Sequence, residues 1–212
     1  MEKKTTPKKT HKISRRKNKK SVKKIKRRAR KIRKSYYENG GKGKVRIMFQ
    51  DEAGFGRISH IASCWTPKGV RAIVPGQQIR EYNYIYGAVD PRDGERFFIT
   101  APACNSDWMS TFLMELSNAY EEDFIILVMD NAAWHSSQSL NIPSNVECLF
   151  IPPYTPEMNP IEQLWRELRK DFANIIFKSL KDVMNQLEIS VNNLTDDTVK
   201  SIMGRQWILK IF

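Results

Sequence analysis

Three carboxylates in this chain of 212 residues stand beside regular elements in a pattern that could bring them together. Asp51 follows the alternating apolar segment 45–50, and Asp130 follows the continuously apolar segment 124–129; both segments predict strands. Glu162 lies in the first turn of a helix predicted from Pro160 to about residue 174. Adjacent carboxylates repel one another unless a cation neutralises them. Oxygen ligands favour Mg²⁺ or Mn²⁺, and two such ions can act together at a phosphodiester bond.

Each of these residues also has a purely structural interpretation. An Asp after a strand is common as a turn residue or a helix N-cap. Asn159 is a good N-cap and Pro160 a good first helical residue, which would make Glu162 a capping-box glutamate. Position alone therefore leaves a metal site and three structural carboxylates equally open.

The charge of the chain is concentrated at one end. Residues 1–34 contain 19 Lys or Arg and one acidic residue, Glu2, whereas residues 35–212 contain 17 basic and 22 acidic residues. A basic segment of this kind typically contacts nucleic acid, because neutralised phosphates release counterions. A localisation tract, an electrostatic tail and a solvated linker are the alternatives.

The elements that would position the carboxylates form an α/β fold. Residues 1–20 are predicted to be disordered, and apolar residues at spacings of three and four predict a basic amphipathic helix over 21–38. Strands are expected near 45–50, 58–65, 70–74, 82–89, 95–101, 124–129 and 146–151. Helices are expected near 105–120, 160–174, 179–193 and 195–203. The predicted organisation is a basic N-terminal arm, residues 1–43, followed by one catalytic domain, residues 44–212, with a mixed sheet and flanking helices.

The cysteines and the hydropathy pattern narrow the class of protein. Cys64, Cys104 and Cys148 are widely spaced, which argues against a disulfide framework or a zinc site. No run of 18 apolar residues is present, so we expect no membrane association. The expected location is the cytoplasm, on the nucleoid.

Four local sequences carry a resemblance to a known family. Residues 49–55 (Phe-Gln-Asp-Glu-Ala-Gly-Phe) resemble the first-aspartate motif of DDE transposases of the mariner superfamily, in the bacterial insertion-sequence branch. Residues 65–69 resemble the hairpin that follows this motif, and residues 129–135 (Met-Asp-Asn-Ala-Ala-Trp-His) resemble the second-aspartate motif. The loop and helix at 152–165 form the longest and most specific match, around the last carboxylate. The resemblance spans about residues 44–178.

The resemblance implies an RNase H-like fold and two-metal hydrolysis of DNA at transposon ends, followed by strand transfer to target DNA. It implies that Asp51, Asp130 and Glu162 are the catalytic metal ligands and that they bind two ions, either Mg²⁺ or Mn²⁺. Asn131 and His135 are motif positions and accessory candidates. We favour a hydrogen-bonded loop role for His135 over proton transfer, and packing over chemistry for Tyr154 and Trp165.

The family pattern also sets expectations about partners. Members usually begin with paired helix-turn-helix units, for which residues 1–44 have no room. We therefore expect that the chain is one half of a split reading frame with a helix-turn-helix partner, or that it is truncated and depends on another protein for specificity. We also expect a homodimer on DNA. The competing hypotheses are an inactive or repurposed transposase, a metal-independent carboxylate hydrolase such as a glycosidase, and a nucleic-acid-binding structural protein.

Overall fold

The computed structural model describes residues 8–131, 140–152 and 158–211, which form six α-helices, one 3₁₀ helix and five strands. In chain order these elements are α1 Lys8–Glu38, β1 Val45–Ile58, β2 Gln78–Val89, β3 Arg96–Ala101, α2 Ser106–Ala119, β4 Phe124–Met129, β5 Val146–Phe150, α3 Ile161–Leu168, the 3₁₀ helix Arg169–Phe172, α4 Leu180–Asn192, α5 Asp196–Met203 and α6 Gln206–Leu209. No helix in these ranges is both long and apolar enough to cross a membrane.

The five strands form one mixed sheet in the order β3-β2-β1-β4-β5. The first three strands are antiparallel neighbours, and β4 and β5 run parallel to β1. Helix α2 covers one face, with Phe112 and Leu116 fully buried. The other face packs against α1 and α3 to α6. Helices on both faces explain why β4 is apolar at every position, as its sequence predicted.

The basic helix packs against the sheet and does not stand apart from it. Its predicted apolar stripe is the buried face: Ile25 and Ala29 are each 1% exposed, and Val22 and Ile32 pack beside them. The stripe ends at Tyr36, whose ring stacks on Phe124 with centroids 4.4 Å apart. The helix begins at Lys8, so it also covers residues before the predicted span 21–38.

Two predicted strands are absent from the described residues. The segments 58–65 and 70–74 lie in the connection between β1 and β2, which has no ladder beyond an isolated bridge at His60. Prolines and glycines interrupt this connection, and its apolar side chains find no neighbouring strand: Trp65 and Ile73 are almost fully exposed. The alternating apolar residues of these two segments therefore do not form strands, because no neighbouring strand lies beside them.

The helix that carries Glu162 is shorter than predicted. It ends at Leu168 and continues as the 3₁₀ helix, and the chain then turns at Asn174, which has a φ of 60°. The Asn174 side chain holds this turn by accepting a hydrogen bond from the Ala62 N–H and donating one to the Ala62 carbonyl. The turn thereby joins the end of this helical segment to the β1–β2 connection.

Candidate active site

Asp51 and Asp130 are brought side by side by the central parallel pair of strands. The β1–β4 register runs to Phe49 opposite Val128, so two residues further along each strand place Asp51 beside Asp130. Side chains alternate between faces along a strand, and both carboxylates fall on the face of Phe49 and Val128. This is the face that α3 covers.

Asp51 does not end its strand, contrary to the sequence prediction. Strand β1 continues to Ile58, and beyond Phe49 it pairs with β2 alone, with Asp51 opposite Gly87. A turn or N-cap role is therefore excluded for Asp51. Asp130, in contrast, follows the last residue of β4, as predicted, and is exposed.

A hydrogen bond from α3 holds the Asp51 carboxylate. The Trp165 indole Nε1 donates to Asp51 Oδ2 at 3.0 Å. The ring of Trp165 lies over Gly87, where an added Cβ would come within 2.7 Å of it, so only glycine fits opposite Asp51. We expected Trp165 to serve packing; it is buried as expected and also orients a carboxylate.

A second hydrogen bond fixes the start of α3 against the same strand. The Asn159 side chain, which is 5% exposed, donates from Nδ2 to the Gln50 carbonyl at 2.7 Å. Two bonds therefore connect α3 and its approach to consecutive residues of β1. Neither Asn159 nor Trp165 was predicted to make these contacts, although both lie at three-residue spacing from Glu162.

The capping-box interpretation of Glu162 is wrong. Helix α3 begins at Ile161, and its N-cap is Pro160, which makes no side-chain capping bond. Proline has no N–H for a glutamate to reach, and Asn159 is engaged with Gln50. Glu162 and Trp165 are three residues apart and so share one side of the helix. Glu162 is partly exposed at the helix start, on the side of the helix that reaches Asp51.

The electrostatics at Asp51 favour a cation. Burial raises the pKa of Asp51 to about 7, together with the negative charges of Glu52 and, to a smaller extent, of Asp130. The hydrogen bonds from the Glu52 backbone and from Trp165 act in the opposite direction without balancing these effects. A positive ion beside the two aspartates would restore the charged form of Asp51.

The described residues do not form a closed metal cage. Across 8–131, 140–152 and 158–211, no three His, Cys, Asp or Glu side chains are grouped closely enough to hold an ion. Asp51 and Asp130 are neighbours, and Glu162 is linked to them through α3 and Trp165. Asn131 is exposed beside Asp130. His135 and Tyr154 lie outside the described residues. The donor set is made of carboxylate oxygens, which suits Mg²⁺ or Mn²⁺.

This geometry defines a class of protein: a mixed sheet that presents two adjacent aspartates beside a helix bearing a glutamate. Residues 46–184 match the family model described as DDE superfamily endonuclease. The chain therefore belongs to the DDE superfamily endonucleases, as the sequence motifs predicted.

Known proteins similar to the chain include one curated relative and several solved transposase structures. The relative is the uncharacterized protein y4pE/y4sA of Sinorhizobium fredii (strain NBRC 101917 / NGR234), which is 34% identical over 128 residues, or 58% of this chain and 95% of the relative. The Mos1 strand transfer complex matches with a TM-score of 0.61 and 17% identity, covering 91% of this chain and 61% of that chain. The mariner Mos1 paired end complex with Mg matches with a TM-score of 0.59 and 18% identity, covering 100% and 64%.

The structural similarity establishes the fold. The sheet and its flanking helices are those of the RNase H-like Mos1 transposase, which confirms the predicted fold class. The chain spans about three fifths of the length of the Mos1 chains it matches. The assignment to a bacterial insertion-sequence branch stays a prediction.

Proposed function

We propose that this chain is the catalytic domain of a DNA transposase that cleaves DNA at transposon ends and transfers the freed strand to target DNA. The observation that carries the proposal is the pairing of Asp51 with Asp130 at the end of β4, with α3 hydrogen-bonded to Asp51. Membership of the DDE superfamily endonucleases and the fold of Mos1 transposase support the same chemistry.

The proposed metal ligands are Asp51, Asp130 and Glu162. Asp51 is oriented, since Trp165 donates to its Oδ2. Asp130 is exposed and so accessible to an ion and to DNA. Glu162 is the third ligand of the proposed set, and it lies on a short helix that is fixed to β1 at Gln50 and Asp51.

Two divalent ions held there would activate a water or a 3′-hydroxyl and stabilise the leaving oxygen at the phosphodiester. The related Mos1 paired end complex contains Mg, which favours Mg²⁺ or Mn²⁺ in this chain. The protein itself fixes the ligand geometry: Trp165 orients one carboxylate, and Asn159 holds α3 at a constant distance from β1. Fixed ligands favour catalysis because they need little rearrangement in the transition state.

Recognition of the transposon ends is assigned here to a separate helix-turn-helix partner or domain, and the active assembly to a homodimer on DNA. Reading base edges normally requires an element in the major groove. The basic side chains of α1 are suited to phosphates, which fix position but select bases poorly. We therefore expect this chain alone to nick DNA weakly and with little sequence preference.

A nuclease assay with two matched variants tests the proposal. Supercoiled plasmid is incubated with Mg²⁺ or Mn²⁺ and with wild type, Glu162→Gln or Glu167→Gln. The control makes the same chemical change on the same helix, at a residue paired with Lys170 at 2.6 Å. We expect Glu162→Gln to lose nicking by at least about 100-fold with nearly unchanged DNA binding and melting temperature, while Glu167→Gln nicks like wild type. Equal nicking by Glu162→Gln and wild type would overturn the proposal.

A further inference from the structure

The exposed face of α1 is strongly basic. Residues 21–38 contain nine Lys or Arg and a single acidic residue, Glu38. Eight of the nine basic residues are exposed: Lys23, Lys24, Arg27, Arg28, Arg30, Lys31, Arg33 and Lys34. Burial of the apolar stripe around Ile25 and Ala29 forces these charges outward.

Four of the charges form a straight row. Lys23, Arg27, Arg30 and Lys34 follow one another at spacings of four, three and four, which places them along one side of a helix. At 100° per residue, this row lies opposite the stripe that contains Ile25 and Ala29. The row therefore points away from the protein. Within the described part of the chain, Lys34 is the one member of the row that forms an ion pair, with Glu38 at 3.4 Å.

The row is held rigidly because α1 is part of the core. The Tyr36 ring stacks on Phe124, and its hydroxyl accepts a hydrogen bond from the Gly43 N–H at 3.0 Å. An added Cβ at Gly41 would overlap the Tyr36 ring at 2.4 Å, so the turn into β1 is tightly packed. The helix is thus fixed at its C-terminal end by the chain turn and along its length by the buried stripe.

The direction of α1 points its N-terminal part towards the end of the sheet that carries the carboxylates. Its C-terminal end lies at Phe124, the first residue of β4, and the helix packs against the edge strand β5, which runs parallel to β4. The helical stretch from Tyr36 to Val22 spans about 21 Å, which is comparable with the length of these strands. The row therefore extends over the β5 edge, from the start of the parallel strands towards their carboxyl ends.

We propose that the outer row of α1, Lys23, Arg27, Arg30 and Lys34, is a rigid phosphate-binding surface that holds duplex DNA alongside the active-site end of the sheet. The spaced cations face solvent in one line, as binding along a phosphate backbone requires. Because the surface is part of the folded domain, it sets where DNA lies relative to Asp51 and Asp130. The inference rests on the proposed function for its choice of DNA as the polyanion.

The packing of α1 against the rest of the protein is tested without DNA. Ile25→Ala removes a buried side chain of the core and should lower the melting temperature by about 5 °C or more. Ile189→Ala is the control, because Ile189 is 55% exposed and should shift the melt little. An Ile25→Ala protein that melts with wild type would show that α1 is a loose arm and would overturn the inference.

The phosphate surface is tested by neutralising the row. The variant Lys23→Gln/Arg27→Gln/Arg30→Gln/Lys34→Gln is compared with Lys178→Gln/Lys181→Gln/Arg205→Gln/Lys210→Gln, which removes the same charge from exposed positions outside α1. Binding to random duplex is measured across salt concentrations without divalent ions. The row variant should bind about tenfold or more weakly, with a log–log salt slope shallower by about three to four.

The outcomes separate this inference from the proposed function. Equal weakening by both variants would mean that net charge alone matters, and unchanged binding by the row variant would mean that the row does not touch DNA; either result overturns the inference. Both results leave the nicking assay on Glu162 untouched. Conversely, a wild-type chain that binds through the row but never nicks would refute the proposed function and leave this surface standing.

Discussion

The acidic residues beside Asp51 and those in the turn between β2 and β3 occupy opposite electrostatic surroundings. In the turn, Asp90 is fully buried, and burial raises its pKa to about 6. Basic groups surround it: Arg92 approaches Asp90 Oδ2 at 3.5 Å, and Lys44 contacts Asp93 Oδ2 at 3.1 Å. Burial acts to raise the pKa of Asp93 as well, but the hydrogen bond from Lys44 and further contacts outweigh it, and the pKa is lowered.

The site beside Asp51 lacks this internal compensation. After burial, the strongest charge acting on Asp51 is negative, from Glu52, and Asp130 adds to it. Uncompensated carboxylates at one point of a fold are costly and are typical of places where a ligand supplies the missing charge. This difference in neighbouring charges indicates that the turn is a structural ion-pair cluster, whereas the Asp51 site is suited to an external cation.

The largest expected effect in this comparison follows from removing the Trp165 donor. Trp165→Phe keeps an aromatic ring over Gly87 but cannot donate to Asp51. Hydrogen bonds that orient a metal-binding side chain are worth about 10–100-fold in metal affinity or activity. We therefore expect Mn²⁺ affinity to fall by about that factor.

Trp108→Phe on α2 is the matched control, because it makes the same change on the opposite face of the sheet. In an Asp51→Asn background, Trp165→Phe should have little further effect on Mn²⁺ affinity. If Trp165→Phe lowered Mn²⁺ affinity by the same factor in the Asp51→Asn background as in wild type, Trp165 would act through packing and not through Asp51.

A smaller effect is expected on stability at Asp51. Its folded pKa of about 7 lies above the ordinary value of 3.8, so the folded state binds more protons, and stability falls as pH rises through this window. Asp51→Asn removes the penalty while keeping an acceptor for Trp165. Without metal, we expect it to stabilise the protein at pH 8 by roughly 1–3 kcal/mol, with the gain shrinking towards pH 4.

Thermal melts at several pH values measure this gain, with the exposed Asp171→Asn as control. A decrease in stability for Asp51→Asn at pH 8 would place Asp51 with the compensated carboxylates of the turn.

The smallest effect is expected at Asp93, where the substitution should lower the stability of the protein and not raise it. Its lowered pKa means that it contributes stability above the ordinary Asp pKa and loses this contribution as pH falls through the folded value. Since its partners are partly exposed, Asp93→Asn should destabilise the protein at pH 7 by about 1 kcal/mol or less. Urea unfolding at pH 7 checks the sign, and stabilisation would contradict the assignment of the turn as an ion-pair cluster.

The sequence predicted those features that depend on local pattern. The bounds of β4 and the buried stripe of α1 both follow from the spacing of apolar residues. The position of Asp130 follows as well, because it comes directly after the apolar run of β4.

Features set by contacts distant in sequence could not be predicted in this way. Strand β1 was predicted to end at Asp51, yet it continues to Ile58 by pairing with β2, whose Tyr84 and Tyr82 pack over Gly54 and Gly56. The bond from Trp165 to Asp51 joins residues 114 positions apart. The capping box at Glu162 could be excluded only from the structure, which shows that Pro160 is the N-cap of α3 and that the Asn159 side chain donates to the Gln50 carbonyl.

The central claim is that the uncompensated carboxylates hold divalent cations. Calorimetric titration of Mn²⁺ into wild type and into Asp130→Asn tests it most directly, because Asp130 is exposed and its replacement disturbs the core little. We predict that wild type binds one or two ions and that Asp130→Asn loses most of this binding. Equal Mn²⁺ binding by the two proteins would contradict the account.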